Sequence, residues 1–351
     1  MKLVRLDEIT GEEILARSIM TDDYKELLAE GTQLKTEYIP KLRDIGISEV
    51  FIKDNRIQAE DIKILKEEVI NKCREQVKKI ISRHTFNHED DSMVKISETA
   101  DSIIENILEE EEIAQHIFDI KERSADIYEH SISTCSLATL VALKLNLTKE
   151  QAKSIGAGCL LHDIGLRYIT VPFSNISMES LPAKDVEEYR KHTVYGYSAV
   201  KNENWLDKDS KEIILFHHER CDGSGYPLHA KELSVGVKIV AVCDFFDESI
   251  CGIGSNRMKV HEVVEYLKGY KEVRFDTRVV DALLEFVAVY PSNSSVITNK
   301  GDYAVVIRQN KGFPERPVLQ LVSDKDGKKY EEPQVIDLLE NNNVFIEKVI
   351  D

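Results

Sequence analysis

Length, composition and charge narrow the classes of protein to which this chain can belong. Its 351 residues suffice for two or three compact units, and 42% hydrophobic with 31% charged residues is typical of a globular protein. The formal net charge of -17 excludes a protein that coats DNA or RNA, because such a protein needs a basic face. A small anionic ligand is still permitted, since bound cations can reverse the field within one pocket.

The N-terminus and the cysteines favour a cytoplasmic protein. The stretch from Met1 to Glu8 lacks the apolar core of a signal peptide. The most apolar stretch, 137–143, is far shorter than the roughly 18 residues that cross a bilayer, so no membrane insertion is expected. Six cysteines show neither a CxxC pair nor zinc-like spacing, and we predict that they are buried reduced thiols.

Residues 1–54 predict a small α+β module. Short apolar runs broken by turn residues are typical of strands, and a short helix is predicted near 39–42. The predicted strands are 14–16, 31–34 and 50–52.

Residues 55–125 predict a helical connector. Apolar residues recur at helical spacing over 58–81 and again over 96–122. His84 and His88 lie four residues apart between these helices, in a polar stretch that favours a plain loop over a metal site.

Residues 126–290 are strongly helical in pattern and contain a set of histidines and acids. Asp126 and His130 are four residues apart, so they share one helix face and can converge on one site. The stretch 148–151 reads as a capping box that starts a helix ending at His162-Asp163. The other histidines and acids that interrupt apolar segments are His192, His217, His218, Asp244 and Asp247.

Metal binding explains this set best. Each histidine alone would more often be an ordinary core or surface residue, but together, in apolar helices, such groups are costly unless paired or metal-bound. A carboxylate can bridge two cations, which a neutral imidazole cannot. Five histidines with two or three carboxylates exceed the needs of one tetrahedral zinc and suit two or three octahedral ions, such as iron or manganese.

Residues 291–351 predict a short β-rich extension. Apolar and polar residues change there from helical to strand-like patterning, and Asp326-Gly327 is a favourable hairpin turn. The predicted strands are 303–307, 318–322 and 334–336.

The motifs of the helical region resemble the HD-GYP family, a branch of the HD metal-dependent phosphohydrolases. The matching stretches, in the family's order, are HDIG at 162–165, HHERCDGSGYP at 217–227 and IVAVCDFFD at 239–247. The resemblance covers 126–290, and the paired histidines followed by Gly-Tyr-Pro make it specific. It implies a mainly α protein with an HD-type helical bundle that carries the metal site, and hydrolysis of cyclic di-GMP to linear pGpG or GMP.

The resemblance also implies roles for individual residues. The implied metal ligands are His130, His162, Asp163, His192, His217, His218 and Asp244, with Asp163 as the catalytic bridge between ions. Asp126 matches a position where some members carry a glutamate that helps to hold a third ion, and Asp247 is interpreted as a structural acid. Tyr226 and Gly225 are expected to lie against the nucleotide.

The chain departs from the family where phosphate is contacted. Leu166 stands where the family usually has a lysine, and the neighbouring Arg167 is its predicted catalytic replacement. The usual Arg-Pro-Tyr-Arg stretch after the second aspartate is missing, and Arg257 and Lys259 are the predicted substitutes. The sequence therefore predicts a complete set of metal ligands but fewer cationic residues that contact phosphate, which weakens phosphate binding.

Three functions remain open on the sequence alone. The first is an active cyclic di-GMP phosphodiesterase slowed by Leu166. The second is a cyclic di-GMP-binding signalling module with weak or no turnover, and the third is an HD hydrolase for another nucleotide. The place of regulatory modules in the family suggests a sensory or dimerising role for residues 1–54, which allows a homodimer.

Overall fold

In the computed structural model of this protein, the described residues form two compact units. The described residues are 2–15, 19–20, 26–29, 31–45, 47, 49–53, 63–83, 94–109, 117–121, 123 and 125–350. The first unit lies within 1–61, 292–310 and 316–351, and the second within 62–291 and 311–315. The predicted class is confirmed: mainly α, with a small α+β module and a C-terminal β-rich extension.

The N-terminal part of the first unit contains short antiparallel strand pairs and a short helix. The pairs are β1 (Lys2–Arg5) with β4 (Glu49–Ile52), and β2 (Ile19–Met20) with β3 (Glu26–Leu28). Helix α1 (Ile39–Asp44) has a proline in its first turn, where a missing N–H costs no hydrogen bond. The predicted strands at 14–16 and 31–34 form only isolated bridges in their described part, between Ile14 and Gln33 and between Leu15 and Ile52.

The C-terminal part of the first unit is a five-stranded antiparallel sheet. Its strands are β5 (Ser295–Thr298), β6 (Tyr303–Arg308), β7 (Val318–Ser323), β8 (Lys329–Asp337) and β9 (Ile346–Val349), in the order β8-β7-β6-β5-β9. Alternate residues of β5 and β6 are buried, as period-two patterning requires. Gly327 has a φ of 79° in the turn between β7 and β8, which confirms the predicted hairpin.

The second unit is a helical bundle. Its helices are α2 (Glu67–Arg83), α3 (Val94–Glu109), α4 (Ile127–Lys144), α5 (Lys149–Leu161), α6 (Ala183–Arg190), α7 (His192–Val200), α8 (Lys208–Phe216), α9 (Val235–Cys251), α10 (Val260–Tyr270) and α11 (Thr277–Leu284). Helix α4 packs against α5 and α9, and α5 packs against α8. Because α4 is apolar on nearly all sides, it is buried along most of its length. Among the described residues, no helix has both the length and the apolar character that crossing a bilayer requires.

Side-chain caps fix the ends of the helices that lead into the site. The predicted capping box is present, since Thr148 accepts from Gln151 N at 3.2 Å and the Gln151 side chain accepts from Thr148 N at 2.9 Å. Ser234 caps α9, whose C-terminal cap is Gly252 with a φ of 79°. Such caps satisfy backbone groups that a helix cannot pair internally.

The connector is helical in α2 and α3, but the prediction that its second helix reaches residue 122 is wrong. Residues 117–121 are not helical. Phe118, almost fully buried, donates from its backbone N to Phe286 O at 2.7 Å and accepts from Ala288 N at 3.1 Å. This pairing with a distant segment overrides the local helical pattern. The predicted loop with His84 and His88 lies outside the described residues, and the boundaries drawn at 54, 125 and 290 stay predictions.

The cysteines behave as the sequence predicts. All six are free thiols, and Cys221 alone among them is not fully buried. Burial raises the pKa of Cys135 to about 12, so this thiol stays protonated near neutral pH.

Candidate metal centre

Seven of the predicted ligands meet in the middle of the helical bundle. Their side chains form two groups, one with His130, His162 and Asp244, the other with Asp163, His192, His217 and His218. Each of the seven is at most 5% exposed. Several stand at helix ends: His162 and His217 directly follow α5 and α8 as their C-terminal caps, and His192 is the first residue of α7.

Asp163 lies between the two groups and presents one carboxylate oxygen to each. Its Oδ2 is 3.4 Å from His162 Nε2 and 3.7 Å from His130 Nε2. Its Oδ1 is 3.5 Å from His192 Nε2 and 3.8 Å from His217 Nε2. This is the orientation that a carboxylate needs to bridge two cations.

The spacing within the groups fits ligands of a common ion. The Nε2 atoms of His130 and His162 are 3.1 Å apart, and Asp244 Oδ1 is 3.1 Å and 3.2 Å from them. Two ligands that bind one ion at about 2.1 Å and at right angles are themselves about 3.0 Å apart. The Nε2 atoms of His192 and His217 have a similar separation of 3.2 Å.

Hydrogen bonds at the outer ring nitrogens orient the imidazoles. The acceptors are Cys159 O for His162 at 2.6 Å, Tyr189 O for His192 at 2.7 Å and Ile214 O for His217 at 3.1 Å. Because a carbonyl can only accept, each Nδ1 carries the proton and each Nε2 presents a lone pair to the centre. Facing lone pairs repel each other unless a cation lies between them.

The lowered pKa values of His217 and His218 agree with metal binding. Burial, reinforced by His162, lowers the pKa of His217 to about 3, and burial and His217 lower the pKa of His218 well below its usual value. These two imidazoles are therefore neutral ligands near pH 7. Burial also lowers the pKa of His130, but the Asp244 and Asp247 carboxylates outweigh burial and raise it, so a cation there competes with a proton.

Asp247 connects the site to a buried arginine that the sequence analysis missed. Its Oδ2 accepts from His130 Nδ1 at 2.7 Å and from the Arg123 guanidinium, and its Oδ1 accepts from Ser133 Oγ at 2.5 Å. Burial raises the pKa of Asp247, but Arg123 and His130 outweigh burial and lower it. Asp247 thus orients His130, while no motif distinguishes Arg123 in the connector sequence.

Asp126, the eighth predicted ligand, belongs to neither group. It caps α4, where its Oδ1 accepts from Tyr128 N at 2.9 Å and Glu129 N at 3.1 Å. Its Oδ2 accepts from Arg74 Nε at 3.0 Å. Since both oxygens are engaged, these contacts argue against the third-ion role, which stays a prediction.

We expect Asp126→Ala to leave the bound metal unchanged and to lower the free energy of unfolding by about 1–2 kcal/mol, because a helix cap is lost. Asp126→Asn keeps a capping oxygen and should be less destabilising. Elemental analysis and denaturant unfolding of both variants check this. The loss of one ion from the Ala variant alone would restore Asp126 as a ligand.

The loop after His218 requires a glycine and is held by a buried acid. An added Cβ at Gly225 would collide with His218 O and the backbone of Glu219. The Glu219 carboxylate accepts from Leu228 N at 2.6 Å and from Ala230 N at 3.1 Å. The loop is therefore fixed next to the predicted ligand His218.

Tyr226 packs on the clustered histidines. Its ring stacks on His218 with centroids 4.7 Å apart and an interplanar angle of 23°, and the Arg190 guanidinium lies over the ring at 5.3 Å. Tyr226 thus supports His218, and its predicted contact with a nucleotide stays a prediction. Arg190, exposed and two residues before His192, is a cation near the site that carries no motif.

The predicted phosphate-binding residues differ in burial and in their contacts. Leu166 is buried, whereas Arg167 is exposed, with its guanidinium 5.3 Å from the Tyr168 ring centroid. Arg257 donates from its backbone N to the Asn175 side chain, and Lys259 is the N-terminal cap of α10. As phosphate contacts, these residues stay predictions.

Comparisons with known proteins agree with the geometry. Residues 108–279 match a family model described as an HD domain, and residues 295–351 match a KOW domain associated with the HD domain. A cyclic di-GMP phosphodiesterase of Pseudomonas aeruginosa is 27% identical over 248 residues, which are 69% of this chain and 59% of that protein. A 3'3'-cGAMP-specific phosphodiesterase of Vibrio cholerae is 26% identical over 213 residues, which are 57% of this chain and 38% of that protein.

A solved structure shares the fold. An HDG"Y"P protein from Bdellovibrio bacteriovorus matches with a TM-score of 0.55 at 16% identity, over 80% of this chain and 97% of that chain. At this identity the likeness concerns the fold alone.

Proposed function

We propose that this chain, which belongs to the HD-GYP family of HD-domain proteins, hydrolyses cyclic di-GMP at a centre of two divalent metal ions. The observation that carries the proposal is the position of Asp163, with one oxygen toward each group of histidines. Iron or manganese as the metal and a cytoplasmic location are part of the proposal. The homodimer stays a prediction.

The chain's own residues would hold and insulate the ions. His130, His162 and Asp244 would bind one ion, His192, His217 and His218 the other, and Asp163 both. When bound, such ions lower the pKa of a coordinated water and offset the charge of phosphate oxygens. The buried imidazoles are already oriented by carbonyl groups and need little rearrangement on binding.

Charge explains why an anionic substrate depends on the metals. The site contains the buried carboxylates of Asp163, Asp244 and Asp247 within a chain of net charge -17. Such a field repels a phosphodiester until cations reverse its sign. Arg190 at the edge of the site adds positive charge on the exposed side.

A panel of cyclic dinucleotides tests the proposal. Protein loaded with Mn²⁺ or Fe²⁺ without oxygen is incubated with cyclic di-GMP, 3'3'-cGAMP and cyclic di-AMP, and the products are separated chromatographically. We expect cyclic di-GMP to be cleaved fastest, to pGpG or GMP. The Vibrio relative makes 3'3'-cGAMP the second candidate substrate. Faster cleavage of 3'3'-cGAMP would identify it as the substrate instead of cyclic di-GMP. Binding of cyclic di-GMP without cleavage would favour a receptor.

We expect Leu166→Lys to raise the rate of hydrolysis about ten- to hundredfold, since a charge-assisted hydrogen bond to phosphate is worth about 1.5–3 kcal/mol. Leu166 N donates to Asp163 O at 2.9 Å, so position 166 is close in the chain to the bridging acid. Leu166→Met is the matched control and should leave the rate unchanged. A flat rate in Leu166→Lys, with activity abolished by Arg167→Ala, would instead assign the role to Arg167.

A further inference from the structure

A further group of side chains that could bind a metal lies beside the two ligand groups described above. His218, Asp244 and Glu248 offer ligand atoms within 4.8 Å of one another. Glu248 is not among the residues predicted as ligands, and it follows Asp244 by four residues in α9. Residues four apart share one face of a helix, so both carboxylates point to the same region.

The two oxygens of Asp244 have different surroundings. Oδ1 faces His130 and His162 at 3.1 Å and 3.2 Å. Oδ2 is buried, has no hydrogen-bond partner among the residues that the structure describes, and lies 3.8 Å from His218 Nδ1. Asp244 is only 1% exposed. Burying a carboxylate oxygen that has no hydrogen-bond partner costs folding free energy unless a cation binds the oxygen.

Glu248 lies near Arg220 but does not pair with it. Within the described part of the chain, its half-buried carboxylate forms no salt bridge. The nearby Arg220 donates from Nη1 to the carbonyl oxygens of His217 and Glu219, and its guanidinium lies 5.1 Å from the Phe275 ring centroid. Two neighbouring carboxylates repel each other unless a proton or a cation lies between them.

We infer that Glu248 and Asp244 Oδ2 hold a third divalent cation beside His218, with Asp244 as a second carboxylate between ions. The inference rests on the proposed metal centre and extends it. Carboxylate oxygen ligands suit manganese. An ion here adds positive charge to a site that lacks the family's usual lysine, and it uses Glu248 rather than Asp126.

Counting bound Mn²⁺ tests the third site. Metal-stripped protein is titrated with Mn²⁺, and the free ion is followed by its electron paramagnetic resonance signal. We expect three ions in the wild type and two in both Glu248→Ala and the isosteric Glu248→Gln. Glu265→Ala, an exposed change on α10, is the control and should keep three. Circular dichroism verifies that each variant is folded.

Two results overturn the inference: a wild type that saturates with two ions, or Glu248 variants that bind as many ions as the wild type. Either result is still compatible with two ions bridged by Asp163 and with hydrolysis of cyclic di-GMP. If the wild type binds no Mn²⁺, the proposed two-ion centre is itself wrong. Failure of the third site and failure of the proposed function are therefore distinguishable.

Discussion

Asp163→Ala is expected to remove most of the bound metal and to abolish hydrolysis of cyclic di-GMP. Asp163 is the residue whose two oxygens face both histidine groups, at 3.4 Å from His162 and 3.5 Å from His192. Without it, neither group keeps the shared ligand. Metal affinity should fall by more than about a hundredfold, because even residues that only orient ligands contribute about 10- to 100-fold.

Elemental analysis and a turnover assay of the same preparations measure this effect. Asp163→Asn preserves the shape but not the bridging charge, so we expect a similar loss. Asp281→Ala, an exposed carboxylate on α11, is the matched control and should retain metal and activity. An Asp163→Ala protein that still holds two ions and turns over would contradict the bridging role.

Asp247→Ala is expected to lower the free energy of unfolding by about 3–5 kcal/mol, because it leaves a buried guanidinium without its main partner. Arg123 is 5% exposed, and Glu129 at 3.5 Å offers only partial compensation. The same change removes the acceptor that orients His130, so metal affinity should fall about 10- to 100-fold. Denaturant unfolding and Mn²⁺ titration measure the two effects.

A double variant separates the two roles of Asp247. Arg123→Met with Asp247→Leu replaces the buried ion pair by apolar side chains, and we expect it to recover much of the stability. Metal affinity should stay low, since His130 still lacks its acceptor. If Asp247→Ala lowers the free energy of unfolding by less than about 1 kcal/mol and binds metal normally, the Arg123–Asp247 pair neither stabilises the fold nor orients His130 as we expect.

The fold was predictable where the signals are local. Apolar spacing predicted the helices around the site, Thr148 marked the start of α5, and Asp326-Gly327 marked the hairpin between β7 and β8. The extended segment at Phe118 was not predictable, because it pairs with residues 286–288, far away in the chain. Local patterning contains no information about such a partner.

The site residues also differ in whether local sequence signals could identify them. Paired motifs identified the seven clustered residues, since metal binding requires particular donors at particular spacing. Arg123, Arg190 and Glu248 carry no motif and gain their surroundings only through packing. Asp126 shows the opposite problem: an acid just before a helix can be a ligand or a cap, and four-residue spacing from His130 cannot distinguish the two.

The most direct test of the proposed function is the rate of cyclic di-GMP hydrolysis as Mn²⁺ is added back to metal-stripped protein. We predict no measurable hydrolysis in the stripped protein and a rate that rises only when at least two ions are bound per chain. Hydrolysis at the full rate without metal, or none at all in protein that is saturated with metal, would contradict the proposal.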